Sequence, residues 1–220
     1  MRALLQNLSS STSHTSLAAS FRKKRFALFR EFISKIDRSP LTILDVGGRQ
    51  EFWEVMGFTD TPHKIILLNL FKGTVTHPNF TAIAGDARNL HEFPDRAIDV
   101  VFSNSVIEHL HTYANQQRMA DEIRRVGKTY FVQTPNMMFP VEPHFLCPFF
   151  HWLPFSARVE IIRRMSLGHK NRQPTREAAV AAVSEFRLLR KSELRALFPD
   201  AVLYREKFLG LTKSFTAVKH

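Results

Sequence analysis

Leu41-Thr42-Ile43-Leu44-Asp45-Val46-Gly47-Gly48-Arg49 is a short apolar run that ends in an acid and two glycines. It reads as a buried strand delivering a tight turn, because the apolar residues are continuous rather than alternating. Glycine at such a turn lets the backbone approach a ligand, and the helix that follows offers free amides. Alone, the turn serves equally as a cofactor loop or as an ordinary strand-to-helix connection. Moving outward, the same pattern recurs. A helix is expected over Glu51–Gly57, and strands over Lys64–Asn69, Phe80–Ala84 and Ile98–Ser103. A charged-faced helix is expected over Tyr113–Val126 and a fifth strand over Thr129–Gln133. Apolar strands alternating with helices predict an α/β fold, a parallel sheet covered on both faces. Ligands on such sheets bind at the carboxyl ends of the strands, where Asp45, Asn69, Asp86 and Asn104 fall.

Residues 135–155 break the rhythm. Five prolines, from Pro135 to Pro154, are interleaved with Phe139, Phe145, Phe149, Phe150, Trp152 and Phe155, which forbids a regular helix or central strand. Helices are expected again at 156–167, 176–189 and 191–198, the last capped by Ser192. Strands at Ala201–Phe208 and Thr212–Val218 close the chain around a turn at Gly210. At the other end, a Ser/Thr-rich tail precedes a basic amphipathic helix, roughly 18–37, with the stripe Phe21, Phe26, Phe29, Phe32, Ile33 and Ile36. That stripe runs into the next element, which argues against a transit peptide despite the acid-free start. Two regions result: residues 1–38 as tail and helix, and residues 39–220 as one domain with an insertion at about 135–190.

The 220 residues suit one sizeable core, and 44% hydrophobic content with 20 phenylalanines excludes a disordered or collagen-like chain. No apolar run is long enough to span a bilayer, so a cytoplasmic protein is expected. Cys147 is the one cysteine, which excludes an internal disulfide framework. The formal net charge of +11 invites a nucleic-acid partner, but it is unevenly placed. Residues 1–38 hold 8 Lys/Arg and 2 acids, residues 39–155 hold 9 and 12, and residues 156–220 hold 14 and 6. The middle section is thus slightly acidic, and the excess lies in the flanks. The dinucleotide pattern G-x-G-x-x-G and the P-loop are both absent.

Ile98-Asp99-Val100-Val101-Phe102-Ser103-Asn104-Ser105-Val106-Ile107-Glu108-His109-Leu110 joins a strand to a turn bearing an acid and a histidine. With Ile43–Gly48, Ile66–Leu70, Gly85-Asp86-Ala87 and Leu211–Phe215, this segment resembles the class I S-adenosylmethionine-dependent methyltransferases, in particular a large bacterial group of the type-11 kind. The resemblance is good over residues 40–135, tolerable over the closing strands, and absent from residues 1–17 and 156–190. It implies a Rossmann-like sheet, mostly parallel with an antiparallel closing strand. It also implies that S-adenosyl-L-methionine is the cofactor. Asp45, Gly47 and Gly48 would line its amino-acid end, Asn69 and Leu70 its ribose, Asp86 and Ala87 its adenine, and Asn104 its methionine portion. The family usually has an acid where Asn69 stands, and Arg49-Gln50-Glu51 replaces its third loop glycine.

Methyl transfer to an alcohol needs alignment and loss of the acceptor's proton. Histidine titrates near neutrality, which makes His109 and His144 the candidates for general base. Glu108 and Glu142 would contact the acceptor, and phenylalanines of the insertion, Phe139 among them, would wall it in. No metal is expected, since Ser105 stands where a metal site would need its third acid. The insertion resembles the substrate cap of enzymes acting on small molecules, glycans or lipid-linked intermediates. An RNA methyltransferase gripping phosphates with Arg22-Lys23-Lys24-Arg25 and Arg187–Arg195 is the less favoured alternative. A non-catalytic binding protein, and peripheral docking of the basic helix on anionic membrane, are further ones. The sequence carries no indication of oligomeric state.

Overall fold

The computed structural model describes residues 17–220. The Ser/Thr-rich tail lies outside the described residues. Helix α1 (Leu17–Ser34) leads to β1 (Thr42–Val46), α2 (Gln50–Val55), β2 (Lys64–Asn69), β3 (Phe80–Ala84) and β4 (Ile98–Asn104). A 3₁₀ turn (Ile107–Leu110), α3 (Tyr113–Val126) and β5 (Gly127–Pro135) follow. The cap segment then carries a 3₁₀ turn (Phe150–Trp152), α4 (Phe155–Arg164) and α5 (Arg176–Ser184). Helix α6 (Lys191–Leu197) and the hairpin β6 (Val202–Phe208) and β7 (Leu211–Lys219) complete the chain.

The seven strands form one sheet in the order β3-β2-β1-β4-β5-β7-β6. The first five are mutually parallel, and β7 runs antiparallel to both neighbours. Strand order reverses at β1, so a crevice opens outside its carboxyl end. The expected α/β fold is the observed one. Strands β1, β4 and β5 are buried along nearly their whole length, which is why they read as continuous apolar runs.

Side-chain alternation divides the core into two layers. One face holds an aromatic cluster in which Phe26, Phe29 and Phe32 of α1 pack on Trp53, Phe58, Phe102 and Phe131. The Phe29 ring sits 4.9 Å from Phe102 and 5.4 Å from Phe131, both edge to face. Burying each such ring stabilises by roughly 2–3 kcal/mol, which fastens α1 to the sheet. The other face packs Met119 and Ile123 of α3, Leu194 of α6 and Phe198 just beyond it on Val101, Tyr130 and Val132. The cap has its own small cluster, with Phe145 and Phe150 against Val159, Ile162, Ala179 and Val183.

Two local expectations are corrected. The helix expected over 176–189 ends at Ser184, because the chain then runs against its neighbours: the Arg187 amide donates to the Glu108 carbonyl and Leu189 bridges Asn136. Helix α6 is capped at Arg190 rather than Ser192, and the Glu193 carboxylate accepts the Arg190 amide at 2.8 Å. Among the described residues, no helix is long and apolar enough to cross a membrane.

Candidate active site

Strand β1 ends in a loop with no room for side chains. Gly47 has φ +79°, and a Cβ there would lie 2.5 Å from Val106. A Cβ on Gly48 would lie 1.6 Å from the Asp45 carboxylate. Asp45 itself is buried, accepts the Trp53 indole N–H at 2.6 Å, and is pushed up to about 7 by burial, which that hydrogen bond partly opposes. Alternation directs it towards the aromatic layer, so it supports the glycine loop from beneath.

A cleft of about 290 Å³ opens at the strand tips, lined by Gly47, Asn69, Leu70, Asp86, Ala87, Val106 and His109. A second, of about 500 Å³, shares Asn69 and Leu70 and reaches Gly48 and Thr74. Six of the eight expected cofactor residues therefore fall around one continuous rim. The Asn69 side-chain amide donates to the Gly48 carbonyl at 2.7 Å. A carboxylate has no hydrogen to give there, so the loop accounts for the amide at this position. Asp86 is gripped by Arg88 through its guanidinium, with Nε 2.9 Å from Oδ1, and through its backbone amide, which hold the carboxyl below its usual range.

Asn104 is not among the residues that line these two clefts. It shares the parity of Phe102 and turns towards α1, where its carbonyl oxygen accepts from Arg25. The same guanidinium reaches Gln133 at 3.1 Å and Glu206 at 3.2 Å. Arg25 had been visible in the sequence only as part of a basic run. Its engagement, and that of Arg187 with Glu193 and Gln116, removes two of the cations that a phosphate-gripping role would use.

His109, on the turn after β4, lines the strand-tip cleft. Desolvation by the cleft walls, and then the proximity of His144, hold it below the ordinary histidine range. Its ring stands 5.2 Å from His144 and 5.0 Å from Phe186, edge to face with both. His144 stacks on Phe186 at 3.6 Å and its Nδ1 pairs with Glu142. Glu142 is buried and also accepts the amides of His144 and Phe145, both at 2.8 Å. Glu108 is buried beside them. One oxygen accepts from Thr134 at 3.2 Å, the other has no partner, and burial pushes the group up to about 7. The structure thus brings Glu108, His109, Glu142 and His144 together from two distant segments.

Phe139 is not with them. It is buried near the tip of the β6–β7 hairpin, 6.4 Å from Phe208, and Phe145 and Phe186 line the cap cleft in its place. Phe186 carried no signal, since it sits where the Ala-rich helix was expected to continue.

Residues 48–130 match the family model described as a methyltransferase domain. Among curated proteins, "Uncharacterized protein Rv1509" of Mycobacterium tuberculosis is 34% identical over 65 residues, 30% of this chain and 22% of that protein. The match thus spans about a fifth of the relative's length. Among solved structures, a SAM-dependent methyltransferase from Aquifex aeolicus superposes with a TM-score of 0.51 at 11% identity, over 99% of this chain and 97% of that one. A Burkholderia thailandensis 1,6-didemethyltoxoflavin-N1-methyltransferase, solved with S-adenosylhomocysteine, scores 0.52 at 14% identity, over 90% and 78%. The CurJ carbon methyltransferase scores 0.55 at 8% identity, over 90% and 53%. These likenesses are of fold. Residues 48–130, from Gly48 into strand β5, thus match a methyltransferase domain, and the chain as a whole has the fold that these solved methyltransferases share.

Proposed function

We propose that the chain methylates a hydroxyl group of a small-molecule, glycan or lipid-linked acceptor, with His109 taking the hydroxyl proton. The observation that carries this reading is the position of His109, which lines the strand-tip cleft while touching His144 and Phe186 at the cap. A titratable nitrogen thus stands between the donor and acceptor sides.

The strand-tip residues fit the donor. Gly47 and Gly48 leave a cradle that any Cβ would fill, Asp86 offers an ionised acceptor, and Leu70, Ala87 and Val106 offer apolar walls for a flat base. Bound there, S-adenosylmethionine supplies a methyl group made electrophilic by its sulfonium. The loop amides and Asn69 hold the amino-acid and ribose portions, and Asp86 and Ala87 the adenine, while Asp45 keeps the loop in place. Because its pKa is depressed, His109 is neutral at pH 7 and free to accept a proton. Glu142 fixes the His144 ring, which stacks on Phe186 and positions the wall against which His109 rests. The cap aromatics exclude water from the reacting end. Methyltransferases of this fold act on nitrogen and carbon as well; the histidine at the seam favours a hydroxyl, which must be deprotonated.

Calorimetric titration with S-adenosylhomocysteine tests the donor site, and absence of binding at millimolar ligand would sink it. His109→Ala is expected to lower turnover by about 10²–10⁴-fold while leaving the dissociation constant of that ligand within twofold. Full activity in the variant removes His109 as the base.

A further inference from the structure

At the cap lies a cleft of about 570 Å³, whose lining combines the apolar Met137, Phe145 and Phe186 with the arginines Arg158, Arg187 and Arg190. Two acids, Glu142 and Glu193, also reach it. Both are engaged. Glu142 takes two backbone amides and the His144 ring. Glu193 takes the Arg187 guanidinium and the Arg190 amide.

Arg158 is different. Among the described residues it has no acidic partner; its guanidinium stands 5.5 Å from the Phe155 ring, and its buried Nε has no hydrogen-bond acceptor. Burial lowers its affinity for its proton, with no opposing carboxylate. His151 also lines the cleft; it bonds the Met137 carbonyl through Nε2, and desolvation holds it below the ordinary histidine range, so it adds no second positive charge beside Arg158. A desolvated cation with an unused donor is costly unless something completes it. The guanidinium fork suits a carboxylate or phosphate in two-point contact.

We infer that this cleft binds the anionic end of the acceptor, a carboxylate or phosphate carried on an apolar or aromatic body, with Arg158 as the principal contact and Arg190 as the second. The anion site stands on its own geometry; the identification of its ligand as the acceptor rests on the methyl-transfer reading. The rings of Phe145 and Phe186 contact the body of the ligand. Because Phe186 also touches His109, a ligand held by its anionic end has its far end directed to the seam.

Saturation-transfer NMR and calorimetry with benzoate, phenyl phosphate and neutral benzamide test the inference on the full chain. Benzoate or phenyl phosphate is expected to bind at least tenfold more tightly than benzamide, and the stronger of the two names the anion. Arg158→Gln should weaken that binding at least tenfold, Arg158→Lys less, and Arg164→Gln on the exposed face of α4 not at all. Inorganic phosphate should displace the bound anion from the wild-type protein, a result independent of any variant's folding. Equal binding of benzoate, phenyl phosphate and benzamide, failure of phosphate to compete, or unchanged binding in a folded Arg158→Gln protein would overturn it. S-adenosylhomocysteine affinity is measured alongside: if the anion arms succeed while that ligand fails to bind, the donor reading falls and the anion site stands.

Discussion

The strand-tip rim and the cap meet at His109 but are built by opposite means. At the rim the backbone shapes the site: parallel strands in register bring Gly47, Asn69 and Asp86 to one edge, and two glycines keep it open. In the cap, side chains shape the site. Glu142 folds its own segment by collecting two amides and a histidine, and Phe186 is laid against His144 from more than 40 residues away. Packing in the cap's own cluster is largely separate from the two sheet layers.

If the two regions are independent, damage to one should spare the other. The largest effect is expected from Gly48→Ala, whose methyl group must displace the Asp45 carboxylate. Overpacking of this kind costs roughly 1–3 kcal/mol, and the shifted loop should weaken S-adenosylhomocysteine binding at least a hundredfold. Benzoate binding in the cap should persist; joint loss of both ligands from a folded variant would break the comparison.

Next in size is a pH effect confined to the rim. The folded-state pKa of Asp45, about 7, lies above its ordinary 3.8. A raised carboxyl contributes stability that is complete below the unfolded value and is lost as pH rises through the folded one. Between pH 5 and pH 8 this amounts to about 2–3 kcal/mol. Urea unfolding of Asp45→Asn should therefore depend less on pH than the wild type by that amount, whereas parallel curves would mean that Asp45 titrates normally. The smallest effect is expected from Asn69→Asp. A carboxylate facing the Gly48 carbonyl should cost about 1–2 kcal/mol at pH 7, and unchanged stability would show that the amide does not hold the loop.

Much of the rim was legible in the sequence because a parallel sheet buried on both faces writes each strand as an apolar run and each tip as a break in it. Asp45 and Asn104 show where that legibility stops. Both were read as tip residues, but alternation along the strand turns both towards the aromatic layer, where Trp53 and Arg25 take them. The acid-and-histidine pairs Glu108-His109 and Glu142–His144 were also visible as motifs. Their meeting was not, since it depends on an excursion that no periodicity describes. Phe186 and Arg158 lay outside every motif: one follows a helix that stops early, and the other is one arginine among many on a basic segment.

Arg25 and Glu206 lie 181 residues apart, which bears on the order in which the molecule assembles. At roughly 5–20 residues per second during synthesis, helix α1 is made about 10–40 s before its carboxylate partner in β6 exists. Its phenylalanine stripe can dock on β4 and β5 once those emerge. The clasp across the sheet closes only when the final hairpin arrives, so α1, made early relative to the sheet, is locked late.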